Sequence, residues 1–352
     1  MAHIESPQVT VGVDTHKDTH VAAARDQLGR RLATTTIGAT SAGYAELLGW
    51  ALGLGEVTAW GVEGTGSYGA GLARFLAAHG QRVVEVNRPD RAARRRHGKS
   101  DPVDADAAAR TVQAGQATGV PKAADGTVEM VRALRATRQT ALKARTQAIN
   151  ALKGLLVTAP TELREQLQGL STPKLVAAAA VLAPGALVTP TAATMLALGS
   201  LAGRYQHLDA EIKALTGTLD QLTATAAPAL RALHGVGPDS AAALLIAAGD
   251  NPGRLRSEAA FAALCGASPV EASSGKTRRH RLNRGGDRQA NAALYRVVLV
   301  RLRWHQPTRD YLARRTTQGK TSKEIIRCLK RYVAREVFAA LRQIDQHPAT
   351  AA

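Results

Sequence analysis

The first third of the chain switches between two apolar periods. VTVGVD (Val9–Asp14), HVAAARD (His20–Asp26) and LATTTIG (Leu32–Gly38) predict three successive short strands. A helix is then expected from about Ser41 to Leu52, a strand VTAWGVE over Val57–Glu63, a helix from about Tyr68 to Ala78, and a strand RVVEV over Arg82–Val86. Strands first, followed by strand–helix alternation, imply a mixed α/β sheet with helices packed on it.

Pro121, in a polar stretch with KAADG, marks a boundary. Beyond it, Thr127 to about Thr158 reads as one long helix, and a second runs from near Pro190 to about Thr225. In the second, Leu201, Tyr205, Leu208, Ile212, Leu215, Leu219 and Leu222 alternate steps of four and three. This heptad seam fits either a helical hairpin packed on itself or a dimerisation coiled coil; Gly203 and Gly217 weaken it locally. From Ala226 the pattern becomes helix, Gly-Val-Gly turn, helix. Three domains are therefore expected: 1–120 (α/β), 121–226 (long helices) and 227–345 (mostly α).

The 352-residue chain carries a formal net charge of +18, which points to a polyanionic partner. From Lys276 to Arg342, nineteen Lys and Arg face four acids, so the charge is concentrated where a phosphate-tracking surface needs it. Aromatic residues make up only 3%, which argues against an extended base-stacking platform. The two cysteines, Cys265 and Cys328, lack metal-ligand spacing and fit a reducing compartment. MAHIESPQVT has no signal-peptide pattern, and the most apolar run, Leu175–Val188, is broken by Pro184 and Gly185. A cytoplasmic protein with no membrane partner is expected.

Candidate chemistry begins with carboxylates. Asp14 ends the first strand and Glu63 a later one, while Asp101 and Asp104 stand three apart at a helix start. All four can meet above the carboxyl edge of the sheet, where open α/β sheets place their sites. Such a group needs cations to neutralise it, and Mg²⁺ binds through carboxylate oxygens, water and phosphate. Singly, each acid is also an ordinary turn or cap residue: Ser100 or Asp101 suits an N-cap, with Pro102 at the first helical position. His16 and His20, four apart, offer metal-ligand spacing only on a helix; Asp14 to His20 looks like a strand end and turn, so they read as turn residues rather than ligands. A second motif, GASPVEASSGKTRRHRLNRGGDRQANAALYRVVL, sets Ser273 and Ser274 before Gly275 and a run of cations. It fits an activated serine gripped by guanidiniums, or a flexible basic loop. A third, LHGVGPDSAAALL, offers Gly235 and Gly237 for a tight turn presenting N–H groups to a phosphate, or for a plain connection.

Together VGVDTHKDTH, VEGTGSYG, KSDPVDADAAA, LHGVGPDSAAALL, SSGK and RGGDRQANAALYRVVL resemble the insertion-sequence-110 family of bacterial transposases, which includes pilin-gene invertases. The resemblance spans roughly residues 9 to 300. It implies a RuvC-like (RNase H-like) domain with an Asp-Glu-Asp-Asp site, a coiled coil for assembly, and a C-terminal transposase domain with a catalytic serine. Asp14, Glu63, Asp101 and Asp104 then become ligands of two Mg²⁺ ions, and Ser274 the nucleophile, with Ser273 second. The reaction implied is DNA strand exchange through a phosphoserine, between donor and target DNA, guided by a structured bridge RNA and carried out by a homodimer or homotetramer. Arg94, Arg95, Arg96, Lys99, Gly235, Gly237, Lys276, Arg278, Arg279, Arg281 and Arg284 are the expected nucleic-acid contacts. The chain departs from the family pattern at Pro102, where a basic residue is common. It departs again at Asp106, where a basic or neutral residue is common, which makes Asp106 a rival ligand. A RuvC-like metal nuclease without serine chemistry, and a non-enzymatic nucleic-acid-binding protein, are the competing readings.

Overall fold

The structure, a computed structural model, describes residues 7–86, 100–251, 254–277 and 280–346, the side chains of 344–346 excepted. The chain divides into two compact units, Met1–Asp125 with Gly249–Arg254, and Gly126–Ala248 with Leu255–Ala352.

The first unit is built on β1 (Gln8–Thr15), β2 (Thr19–Asp26), β3 (Arg31–Gly38), β4 (Glu56–Glu63) and β5 (Val83–Val86), in the order β3-β2-β1-β4-β5. β1–β2 and β2–β3 are antiparallel hairpin pairs, whereas β1–β4 and β4–β5 are parallel. The parallel pairs require crossovers, and α1 (Ser41–Leu54) and α2 (Ala70–Ala78) supply them. Thr40 caps α1, its hydroxyl accepting from the Gly43 N–H at 3.2 Å. Strand alternation sends Val9, Val11, Val13, Ala22, Ala24, Trp60 and Val62 into a core with Leu47 of α1 and with Leu72 and Leu76 of α2. Each large side chain buried there contributes about 1.5–3 kcal/mol. The opposite face is covered by α3 (Asp101–Gln113), whose Ala105 packs with Val21 and Ala23. The mixed sheet with flanking helices is consistent with the expected RuvC-like domain. Asn251 belongs to this unit, where its amide donates to Pro121 O and its carbonyl oxygen accepts from Ala123 N, both at 2.8 Å.

The second unit is mostly helical. α4 (Thr127–Val157) and α7 (Pro190–Ala226) match the two long helices expected. Arg138 bonds Thr216, Arg145 pairs with Asp209, and Leu152 packs with Leu198, so the two helices run antiparallel. Every residue of the heptad seam is buried or half-buried. Leu201 and Tyr205 pack on the Leu152–Leu198 cluster, and Leu219 and Leu222 on the one holding Val131. The seam is therefore closed at both ends within the chain, as in the hairpin alternative. Between the long helices lie α5 (Thr161–Leu167) and α6 (Thr172–Ala180), and the apolar run from Leu175 begins within α6 without an apolar period that marks it as packed helix. Its alanines gave no period, yet Leu175, Val176 and Ala179 are core residues.

Toward the C-terminus follow α8 (Pro228–Ala232), α9 (Pro238–Ala248), α10 (Glu258–Leu264), a two-stranded hairpin β6 (Val270–Glu271) and β7 (His280–Arg281), α11 (Arg288–Trp304), α12 (Gln306–Thr317) and α13 (Ser322–Gln346). Leu244, Phe261, Leu294, Val297, Ile325 and Val337 form the core among them. Among the described residues, no helix is long and apolar enough to cross a membrane.

Candidate metal centre and serine hairpin

Two tripeptides, Gly12-Val13-Asp14 and Gly61-Val62-Glu63, occupy equivalent places on neighbouring parallel strands. Gly12 is the register partner of Gly61 and Val13 that of Val62. Asp14 and Glu63 therefore follow side by side at the carboxyl ends of β1 and β4, on strands about 4.8 Å apart. Alternation turns both carboxylates to the face of α3, away from the Val13–Val62 core. Thr15 ties the two ends together by donating its hydroxyl to Glu63 O at 3.0 Å.

The glycines admit the helix. A Cβ on Gly12 would lie 2.1 Å from Ala105 O and 2.2 Å from Ala109 N; on Gly61 it would lie 2.7 Å from Val112 Cγ2 and 3.0 Å from Ala108 O. With hydrogen at those positions, the α3 backbone rests directly on β1 and β4. Its first turn, with Asp101 and Asp104, then comes to the strand ends. Ser100 is the N-cap by backbone conformation, but its side chain makes no capping bond, and Pro102 lies in the first turn. The Ser100 hydroxyl thus does not do the capping expected of it. The helix dipole favours the two acids where they stand.

Asp14 and Asp104 are buried, whereas the Asp101 side chain is about half exposed. Burial pushes the Asp14 carboxyl above the usual carboxylate value. Repulsion from Asp104 and Asp101 adds to this, and attraction to His16 opposes it. The imidazole Nε2 of His16 lies 3.3 Å from Asp14 Oδ2 and 3.5 Å from Asp101 Oδ1. The ligand atoms of Asp14, His16 and Asp101 all fall within 4.8 Å of one another. The turn reading of His16 holds for its backbone, but the side chain joins the carboxylates. His20, also expected in a turn, lies inside β2, fully buried and stacked on Tyr44 with ring centres 5.7 Å apart. Asp106 is engaged elsewhere: Arg25 donates to Oδ1 at 2.6 Å and Arg110 to Oδ2 at 2.8 Å. That pair of arginines accounts for an acid at position 106.

The second unit holds the serine motif. Ser274 and Thr277 exchange backbone hydrogen bonds of 3.1 and 3.0 Å, closing a two-residue turn at the tip of the β6–β7 hairpin. Gly275 takes the first central position with φ +54°, a left-handed conformation that glycine adopts without strain. Ser273, Ser274, Lys276, Arg281 and Arg284 are exposed. Arg94, Arg95, Arg96, Lys99, Arg278 and Arg279 lie outside the described residues. In the Gly-Val-Gly turn, Gly235 (φ +83°) backs onto Val297 and Val300 of α11, and Gly237 leads into α9. The first turn of α9 already has its anion: Asp239 accepts from Arg135 at 3.0 Å, Arg296 at 2.7 Å and Arg138 at 3.4 Å. Of the two cysteines, Cys265 is a core residue whose thiol burial pushes up to about 12.

Residues 11–159 match the family model for the DEDD-type transposase of IS110, described as a transposase. Residues 227–313 match the model described as Transposase IS116/IS110/IS902 family. The two stretches together span more than half of the chain. The chain belongs to the IS110 family of transposases. No curated protein matches it. The first IS110 match contains Asp14, Glu63, Asp101 and Asp104; the second contains Gly235, Gly237, Ser273 and Ser274. Membership supports a DNA-processing enzyme with transposase or recombinase activity.

Three participants in the centre of this IS110 member, His16, Gly12 and Gly61, go beyond the sequence expectations. For His16 the helical four-residue spacing to His20 is the wrong measure. The relevant spacing is two: Asp14 and His16 share one face at a strand end. Gly12 and Gly61 carry a plain signal in the chain itself, the Gly-Val-acid tripeptide that closes both VTVGVD and VTAWGVE.

Proposed function

We propose that this IS110-family transposase cleaves and rejoins DNA strands with Mg²⁺ held by Asp14, Glu63, Asp101 and Asp104 and with Ser274 as nucleophile. The observation that carries the reading is the position of Asp14 and Glu63, each directly after the paired Val13 and Val62 on adjacent parallel strands, beneath the acidic first turn of α3. Hard oxygen donors suit Mg²⁺, and two divalent ions balance four carboxylates. Bound there, Mg²⁺ supplies positive charge for the attacking and leaving oxygens of a phosphodiester. Asp104 is preferred over Asp106 because two arginines already occupy Asp106.

The Ser274 Oγ attacks a DNA phosphorus, a P–Oγ bond forms, and a P–O bond of the strand breaks. The serine proton is lost to solvent, and the departing strand oxygen takes one up as a hydroxyl. In the second half a hydroxyl of the other duplex attacks the phosphoserine, the P–Oγ bond breaks, and the serine regains its proton. One ester bond is made for each one broken, so no external energy source is needed. Lys276, Arg281 and Arg284, exposed on and beyond the hairpin, supply cations for the phosphates. Residues 121–226 serve assembly into a homodimer or homotetramer, and 227–345 hold nucleic acid. A structured bridge RNA is the second polyanion that the net charge of +18 accommodates.

The carboxylates stand in a compact unit of their own, which favours one second reading, a RuvC-like metal nuclease without serine chemistry. The test is to purify the full chain, sequence the RNA that accompanies it, and assay Mg²⁺-dependent strand exchange between matching duplexes. Loss of the covalent adduct and of exchange in a Ser273→Ala/Ser274→Ala variant is expected. Full cleavage by that variant would give the nuclease reading, and exchange without RNA would remove the guide.

A further inference from the structure

We infer that His16 is itself a ligand of the divalent cation at the carboxylate site, binding through Nε2. The inference rests on the metal reading above and adds a nitrogen to what is otherwise an all-oxygen donor set. Three observations carry it. First, Nε2 touches carboxylates from two separate elements, Asp14 at the end of β1 and Asp101 at the start of α3. Adjacent ligand atoms around an ion with bonds of ~2.1 Å sit about 3 Å apart, and opposite ones about 4.2 Å. The 3.3 and 3.5 Å separations lie near the first value.

Second, the backbone presents the ring. His16 N donates to Thr19 O at 3.0 Å and closes the β1–β2 turn, so the residue is anchored two positions beyond Asp14 on the α3 side. Third, the His16 side chain is 46% exposed, so an ion and its waters reach Nε2 from solvent. His20 offers the contrast: it is fully buried against Tyr44 and has no route to the site. A nitrogen donor moves the selectivity of an oxygen site from Mg²⁺ toward Mn²⁺ and Co²⁺, since imidazole suits transition metals better than it suits Mg²⁺.

The experiment is pulsed electron paramagnetic resonance on the full-length protein titrated with Mn²⁺, without DNA or RNA. The expected result is ¹⁴N modulation of the bound Mn²⁺ signal in the wild type. In His16→Gln the modulation disappears while Mn²⁺ still binds, about 10–100-fold more weakly. Bound Mn²⁺ without ¹⁴N modulation, or modulation that survives in His16→Gln, would overturn the inference and leave the carboxylate reading standing. If no Mn²⁺ binds to the wild type, both fail together. The half-exposed position of His16 keeps the variant folded, and the wild-type spectrum alone decides the main point.

Discussion

The carboxylate centre and the serine hairpin solve opposite problems. The carboxylates are set by a five-stranded sheet and a helix lying on it, with Asp14 and Asp104 buried and the strand ends tied by Thr15. The serines sit at the exposed tip of a hairpin whose strands are two residues long. Four like charges must be forced together against repulsion, so rigid regular structure is the suitable support. A hydroxyl proposed to attack and later be released has no such need, and a short exposed turn leaves its surroundings open for substrate to complete. On the proposed reading, the difference teaches that the metal half of the chemistry is organised by the fold, and the nucleophile half by what binds.

The sharpest way to break this contrast is to remove a ligand. Asp14→Ala or Glu63→Ala is expected to lower Mg²⁺-dependent strand cleavage by about 10²–10³-fold or more, read as initial rates on a labelled duplex. Retained cleavage would take the centre out of the chemistry. Ser274→Ala should abolish the covalent protein–DNA adduct on denaturing gels while changing stability by no more than ~0.5 kcal/mol, because the residue is exposed. An adduct of normal yield would move the nucleophile to Ser273.

The support itself can be tested next. Gly12→Ala drives a methyl into the backbone of α3 at Ala105 and Ala109 and should cost about 3 kcal/mol in denaturant unfolding, with weakened Mn²⁺ binding. Gly61→Ala, whose nearest obstacle is the Val112 side chain, should cost about 1–2 kcal/mol. Equal costs would mean that α3 does not rest on the sheet as described. Asp106→Asn strips the mostly buried Arg25 of its partner and should cost about 2–3 kcal/mol with Mn²⁺ affinity unchanged. Lost affinity would return Asp106 to the ligand set.

The smallest effect is with pH. Asp14 has a folded-state pKa above its ordinary 3.8, so protonation favours the folded, cation-free protein. Relative to Asp14→Asn, the wild type should gain stability as pH falls from the raised value toward 3.8. Mg²⁺ affinity should fall over the same window, because binding requires the ionised carboxylate. Melting temperatures of both proteins, with and without Mg²⁺, check the sign.

Much of the scaffold was legible from the chain. The strand VTVGVD and the helices from Ser41, Thr127 and Pro190 are where their apolar periods put them, because each carries a regular apolar face that the fold buries. Asp14 and Glu63 were legible as strand-end acids, and Asp101 and Asp104 as a first-turn pair. What periodicity could not give was proximity between elements. That α3 lies on Gly12 and Gly61 depends on two absent side chains, which leave no apolar mark. That Asp106 turns to Arg25 and His16 to Asp101 depends on residues from distant parts of the sequence. The short helix α6 was hidden for a local reason, since its run of alanines is apolar enough to blur a face.

The twin tripeptides have a consequence for how this fold tolerates error. One alternation of side chains along β1 and β4 decides both where the helix can lie and where the acids point. A slip of one residue on either strand would place a valine under α3 and turn an acid into the apolar core in the same move. Two faults would arise from a single mistake, so a mis-registered sheet has no half-working form to settle in. Fidelity of the centre is thereby inherited from the pairing of two strands, and insertions in this unit are best borne by the loops outside β1, β4 and α3.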